Sequence, residues 1–227
     1  MRPRAVFFDL DDTLIDRAGA FERYLGSLIS RYPAAFPVSR RAADLAELHT
    51  LDRRGATDRA TFCRRVTATF PALGLTPEAF WEDMSSRLPL LVGRDDGVCH
   101  LVESVAKRQP VAAVSNGSGR VQRAKLEQAG LTDRLPGVFI SGEVGAEKPD
   151  PRIFQKALAW VDRAPEEVLH VGDDPERDVV AAARLGIVTC WVSHGRQWPH
   201  GLPPPTFTVS SVFEDPDAMR EVLSRWT

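Results

Sequence analysis

Residues 5–16 read AVFFDLDDTLID. Val6 to Leu10 has the short apolar character of a buried strand, and Asp9, Asp11 and Asp12 crowd its end. Two like charges about 4 Å apart repel by about 4 kcal/mol at an effective dielectric of ~20. Such a cluster therefore calls for a cation or for side chains that point apart. In extended backbone Asp9, Asp11 and Thr13 point to one side and Asp12 to the other. That parity predicts a shared site for Asp9 and Asp11. It predicts a turn role for Asp12, its side chain bonding nearby backbone N–H groups.

Downstream of this strand, residues from about 17 to 108 read almost wholly as helix. Ala42, Leu45, Leu48 and Leu51 predict one apolar stripe. Phe62, Val66 and Phe70 predict a second, after a cap at Thr57. Phe80, Met84 and Leu88 predict a third, capped by Thr76 with Pro77 in the first turn. These stripes are core packing. From Val111 the pattern changes to alternation. VAAVSN, GVFISGE, EEVLHVGDD, IVTCWVS and TFTVSS read as strands. GSGRVQRAKLEQAG, DPRIFQKALAWV, PERDVVAAARLG and DPDAMREVLSRW read as helices. Strand–helix alternation predicts an α/β fold with a Rossmann-like parallel sheet core and right-handed crossovers. The helical block after the first strand is too long for one crossover. It is expected to be an inserted module at 16–90, with the core formed by 1–15 and 91–227.

In open α/β sheets, ligands bind beyond the carboxyl ends of the strands. The first strand delivers Asp9, Asp11 and Thr13 there. VAAVSN delivers Ser115 and Asn116, and VLHVGDD delivers Asp173 and Asp174, with Asp178 one helical turn on. Lys148 precedes the helix after FISGE. Four loops thus bring carboxylates, a hydroxyl, an amide and an ammonium to one edge. Mg²⁺ favours a few carboxylates with water and phosphate oxygens, which this set supplies. Paired carboxylates also support acid/base chemistry without metal, as in glycosidases. Lys148, Ser115 and Asn116 favour a phosphoryl group. Taken singly, Ser115 with Asn116 reads as a strand-end turn, Lys148 as a solvated lysine and Asp178 as a first-turn dipole partner. His170, inside a strand, reads as a packed or hydrogen-bonded core histidine.

DLDDT, SN, KPDPRIF and GDDPERD, in this order along the chain, resemble the four motifs of the haloacid dehalogenase-like (HAD) hydrolase superfamily. The helical insert resembles a C1 cap of subfamily I phosphatases. The resemblance implies the HAD fold with an inserted α-helical cap domain. It implies a Mg²⁺-dependent phosphomonoester hydrolase working through an aspartyl-phosphate. Asp9 would be the nucleophile and a metal ligand. Asp11 would be the acid/base, its backbone carbonyl also on the metal. Ser115 and Asn116 would bind phosphate, and Lys148 would neutralise charge. Asp173 would ligate Mg²⁺, with Thr13, Asp174 and Asp178 supporting the site from behind.

Haloacid dehalogenases of the superfamily lack the second aspartate of the first motif, and Asp11 is present here. Phosphonatases use a cap lysine, and residues 16–90 contain none. A HAD-type phosphomutase uses the same aspartate pair and stays open, as does a non-catalytic HAD-like binding or regulatory protein. Receiver domains share an acidic pair, a Ser/Thr and a Lys, but have no place for the insert or for GDDPERD. LDRRGATDR, Leu51 to Arg59, breaks two helices of the insert. Its Arg53, Arg54 and Arg59 read either as solvated arginines or as contacts to an anionic leaving group.

Composition narrows the partners. The 227 residues carry a net charge of -2, which gives no broad nucleic-acid or membrane footprint. No segment approaches the ~20 apolar residues of a membrane span. The apolar stretch near the start ends at Asp9, too short for a signal-peptide core. Cys63, Cys99 and Cys190 lie far apart with no CxxC, as expected of free thiols in a reducing compartment. The expectation is a cytoplasmic protein acting on a small phosphorylated metabolite, of unspecified oligomeric state. With 25 Arg and only 4 Lys, each lysine carries more information than usual.

Overall fold

The protein is described by a computed structural model covering residues 3–213 and 216–225. Two compact units are present: the residues before Arg17 together with those after Val92, and Arg17–Val92.

The first unit is a six-stranded, wholly parallel sheet. Its strands are β1 (Ala5–Phe8), β2 (Val111–Ser115), β3 (Gly137–Ile140), β4 (Val168–Gly172), β5 (Val188–Val192) and β6 (Phe207–Val209). Their spatial order is β3-β2-β1-β4-β5-β6, so β1 is central. Phe8 pairs with Ala113 on one side and Val171 on the other, which aligns the carboxyl ends of β1, β2 and β4. The three central strands β2, β1 and β4 are fully buried and mostly Val, Ala, Leu and Phe, as expected of a sheet covered on both faces. Phe7, Ala112, Val114 and Val168 pack with Ile153, Phe154 and Ala157 on one face.

The second unit contains α1 (Arg17–Arg31), α2 (Arg41–Asp52), α3 (Arg59–Thr69) and α4 (Pro77–Arg87). Phe21, Tyr24, Leu25, Phe62 and Phe80 form its core. Thr76 caps α4 through its Oγ1, which accepts from the Ala79 N–H at 3.2 Å. Two expectations need correction. Asp58, not Thr57, caps α3, because its carboxylate accepts from the Thr61 N–H at 2.9 Å. In α2 the buried positions are Asp44, Leu48, Leu51 and Asp52, while Ala42 is exposed. A spacing of three falls about 60° short of a full turn each time, so a four-residue series drifts off one face.

In the sheet unit follow α5 (Asp96–Ala106), α6 (Gly119–Gln128), α7 (Ser141–Val144), α8 (Pro151–Val161), α9 (Ala181–Ala183) and α10 (Pro216–Arg225). The strand expected over GVFISGE stops at Ile140, and Ser141–Val144 turns into the short α7. The helix expected over PERDVV is a π-helical segment, Pro175–Val180, leading into α9. Asp215 and Trp226, the ends of the last expected helix, lie outside the described residues. All three cysteines are free and buried. Among the described residues no helix is long and apolar enough to cross a membrane.

Candidate active site

Beyond Phe8 the chain leaves the sheet at once. The Asp9 N–H still donates to the Val171 carbonyl at 2.8 Å, and then Leu14 and Ile15 N–H groups both turn back to the Leu10 carbonyl. Asp12 takes a left-handed conformation, φ 55°. The extended-strand parity therefore ends near Leu10. Asp9 and Asp11 do share one edge, but they face different cations.

Asp9 faces Lys148. The Lys148 Nζ donates to Asp9 Oδ1 at 2.5 Å and to Asp178 Oδ1 at 2.6 Å. All three side chains are buried. Asn116 fixes the lysine's backbone: its Nδ2 donates to the Lys148 carbonyl at 2.8 Å, and its Oδ1 accepts the Lys148 N–H at 2.7 Å. Both polar ends of Asn116 are thus engaged in clipping the β2 loop to the Lys148 loop.

Asp178 lies buried in the π-helical segment Pro175–Val180. Its Oδ2 accepts the Asp174 N–H at 3.0 Å. His170 Nε2 lies 3.2 Å from Asp178 Oδ1. A carboxylate only accepts, so this nitrogen carries the hydrogen. Gly172 permits the approach, since a Cβ there would overlap the Asp178 carboxyl carbon. Asp174 is directed elsewhere: its Oδ1 accepts from the Glu176 and Arg177 N–H groups, capping the helix.

One carboxylate oxygen from each of Asp9, Asp173 and Asp178 lies within 4.8 Å of the other two. Burial pushes the Asp9 carboxyl up to about 7, Lys148 pulling it down and Asp178 pushing it further up. Burial, with Asp178 and Asp9 as like-charged neighbours, pushes Asp173 up to about 8 despite Arg196. Burial also opposes charge on Asp178, but Lys148 and His170 outweigh it and hold this carboxyl well below the usual range. Burial holds the His170 imidazole below its usual value, hence neutral.

Asp11 lies against α6, away from Lys148. Lys125 Nζ donates to both its carboxylate oxygens at 2.7 Å. Gln122 Nε2 donates to Asp11 Oδ2 at 3.1 Å and to Ser115 Oγ at 2.8 Å. The loop after β5 also contributes. His194 Nε2 donates to the Asp12 carbonyl at 2.6 Å, and Arg196 Nη2 donates to Asp173 Oδ2 at 3.1 Å. Trp191 Nε1 donates to the Asp173 carbonyl at 2.9 Å. The Thr13 hydroxyl is buried with no hydrogen-bond partner.

Gln122, Lys125, His194 and Arg196 were not singled out as site residues from sequence. Gln122 and Lys125 had a signal: they stand three apart, on one helix face, directly after a motif-bearing strand end, and Lys is rare in this chain. His194 and Arg196 had none, since nothing local ties them to Asp12 or Asp173.

The arrangement supplies a buried carboxylate beside an ammonium, a second carboxylate held next to a hydroxyl, and three clustered acidic groups. All metal-capable donors are oxygens, and the cluster carries more carboxylates than cations. That donor set fits a hard divalent ion.

Comparison with known proteins identifies the family. Residues 3–186 match the haloacid dehalogenase-like hydrolase family. The chain is 29% identical to pyrimidine 5'-nucleotidase YjjG of Escherichia coli over 221 residues, 92% of this chain and 94% of that one. It is 27% identical to N-acylneuraminate-9-phosphatase of Mus musculus, covering 97% and 95% of the two chains. Among solved structures, the HAD-hydrolase YfnB of Bacillus subtilis bound to magnesium superposes with a TM-score of 0.78 at 21% identity. That match covers 99% of this chain and 100% of that one, and it establishes likeness of fold.

Proposed function

The chain belongs to the haloacid dehalogenase-like hydrolase family, and from that premise we propose that it is a Mg²⁺-dependent phosphomonoester hydrolase acting on a small phosphorylated metabolite through an aspartyl-phosphate on Asp9. The observation that carries this reading is the Lys148 ammonium shared between Asp9 and Asp178, 2.5 and 2.6 Å away, inside a carboxylate cluster. A lone lysine salt bridge would need one acid. The two additional carboxylates make sense beside a cation and a phosphoryl group.

Asp9 attacks phosphorus, and the bond from phosphorus to the leaving oxygen breaks. Asp11 gives its proton to that oxygen, then takes one from the water that hydrolyses the aspartyl-phosphate. Lys148 stays an ammonium: burial disfavours its charge, but Asp178 and Asp9 outweigh burial and hold its pKa above the usual value. It offsets negative charge on the nucleophile and the transferring group, the main demand of phosphoryl transfer. Ser115 Oγ, oriented by Gln122, offers a hydrogen bond to a phosphoryl oxygen. Asn116 acts by holding Lys148 in place. Asp9, Asp173 and Asp178 would hold Mg²⁺, with the Asp11 backbone carbonyl as a further oxygen donor. When bound, the ion would supply positive charge to the phosphoryl oxygens and offset the carboxylates.

The two relatives' names, a nucleotidase and an acylneuraminate phosphatase, both place the phosphate on a small molecule, which supports a small ester here. Arg17–Val92 is proposed to be the C1-type cap. A phosphomonoester panel with and without EDTA, comparing the native chain with Asp9→Asn, tests the reading. Mg²⁺-dependent phosphate release is expected from at least one small ester, with a loss of about 10⁴-fold or more in Asp9→Asn. Absence of metal-dependent release from every ester would overturn it.

A further inference from the structure

We propose that Lys125 and Gln122 are positioning residues for the proton-carrying Asp11, and that Gln122 couples its placement to the phosphate-binding hydroxyl of Ser115. The proposal rests on the phosphatase reading above and names the device that aims its acid.

Asp11 follows the strand end in a bridge with Ile15. Two partners of its carboxylate come from α6. Lys125 is 4% exposed although it carries a full charge, and its Nζ reaches both carboxylate oxygens at 2.7 Å. A buried ammonium is costly unless paired, and the Asp11 carboxylate pairs it with both oxygens. Gln122 is 1% exposed, and one amide nitrogen spans Asp11 Oδ2 and Ser115 Oγ. Gln122 in turn packs against Gly117, where an added Cβ would lie 3.1 Å from the Gln122 Cγ. Glycine at φ 136° therefore leaves the room this amide occupies.

The geometry has a chemical consequence. With Lys125 on one side of the carboxylate and Gln122 tying one oxygen to Ser115, the Asp11 carboxyl has a set direction relative to the hydroxyl that binds a phosphoryl oxygen. The leaving oxygen is bonded to that same phosphorus, so a fixed Asp11–Ser115 relation fixes where the acid meets it. Lys125 neither gives nor takes a proton; it holds the group that does. Loss of the holder should harm acid assistance and leave phosphate binding nearly intact. Such loss matters most for alkyl phosphates, whose alkoxides leave poorly without a proton, and least for nitrophenyl phosphate.

Lys125→Met, Lys125→Arg, Gln122→Met, Asp11→Asn and the Lys125→Met/Asp11→Asn double variant would be assayed on an alkyl phosphate the protein turns over and on p-nitrophenyl phosphate. Lys125→Met is expected to lose about 30-fold in kcat on the alkyl ester and about 3-fold on the aryl ester, with KM within about 2-fold, since acid/base assistance is worth about 10²–10⁴-fold. Lys125→Arg should recover most of the alkyl loss. Gln122→Met should show the same split more weakly, and stands in if Lys125→Met does not fold. In the Asp11→Asn background, Lys125→Met should cost less than about 3-fold, because nothing is left to aim. Equal losses of Lys125→Met on both esters, or a full additional loss in the Asp11→Asn background, would overturn the proposal while the phosphatase reading stands. Equal alkyl and aryl losses in Asp11→Asn itself would instead overturn the acid role of Asp11.

Discussion

Two buried charge clusters, one in each unit, are balanced in opposite ways. In the helical unit, Asp52 accepts from Arg17 Nη2 at 2.7 Å, Arg59 Nη1 at 3.1 Å and the Gly55 N–H at 2.8 Å. Two guanidiniums serve one carboxylate. Burial alone would raise its pKa, but Arg17 and Arg59 outweigh that and hold it below the usual range. In the sheet unit, three clustered carboxylates, Asp9, Asp173 and Asp178, are met by Lys148 on two of them and Arg196 on the third, and two of the three are pushed up toward neutrality. A complete cluster with its charges met from within is a structural device. An incomplete one is poised for something that is not protein. Lys148 alone does not distinguish the two cases; the count of carboxylates around it does.

The comparison can be broken most forcefully at Asp52. Asp52→Ala removes the buried carboxylate that Arg17 and Arg59 share and should destabilise the helical unit by about 3–5 kcal/mol. Urea unfolding followed by hydrogen exchange over Arg17–Val92 reads this, and a loss below about 1 kcal/mol would remove the structural role.

A pH series sharpens the contrast, because the two raised carboxyls of the sheet unit respond with opposite sign to Asp52. Asp52 has a lowered pKa in the folded chain. Its contribution is present above the unfolded value of 3.8 and is lost as pH falls below it toward the depressed folded value. Asp9 and Asp173 have raised values of about 7 and about 8. Their stabilising contribution is present below 3.8 and is lost as pH rises through about 7 and 8. Metal-free protein should therefore lose protection in the sheet unit between about pH 5 and 8, and in the helical unit on acidification below about pH 4. Added Mg²⁺ should raise Tm by more at pH 8 than at pH 6, since at lower pH it must displace protons. A Mg²⁺ shift independent of pH would count against the cluster as the metal site.

The smallest effect expected is at Asp174. Asp174→Ala removes a helix cap, which costs about 1 kcal/mol. The Mg²⁺ concentration for half-maximal activity should change by less than about 3-fold, and a much larger change would mean that this carboxylate serves the metal after all.

Much of this was legible along the chain. The central strand, the alternation after Val111 and the residues at the strand ends follow from short-range patterns and from the rule that parallel sheets bind ligands at their carboxyl edge. His170, read as a hydrogen-bonded core histidine, proves to be the residue that shares Asp178 with Lys148. What sequence could not give was the division of labour among polar groups. Asn116 carries a phosphate-binding pattern, yet both its ends hold Lys148, a contact across 32 residues. Arg59, one of three arginines open to two readings, is fixed on Asp52, while Arg53 and Arg54 adopt left-handed backbone at φ 50° and 56°. The clamp on Asp11 spans more than 110 residues. Such pairings depend on which strands become neighbours, and local patterns do not encode that.

The central position of β1 bears on how the molecule comes into being. Asp9 lies 139 residues before the lysine it meets, and β1 gains its second neighbour only when β4 joins. A nascent chain ending before Val168 would already contain Asp9, Asp11, Ser115 and Lys148, but one side of β1 would be an open edge of unpaired N–H and C=O groups. Synthesis thus passes through an interval in which the strand leading into Asp9 is a template for wrong pairing. The interval closes when the segment carrying His170 and Asp178 arrives, so maturation of the site and protection from aggregation are one event.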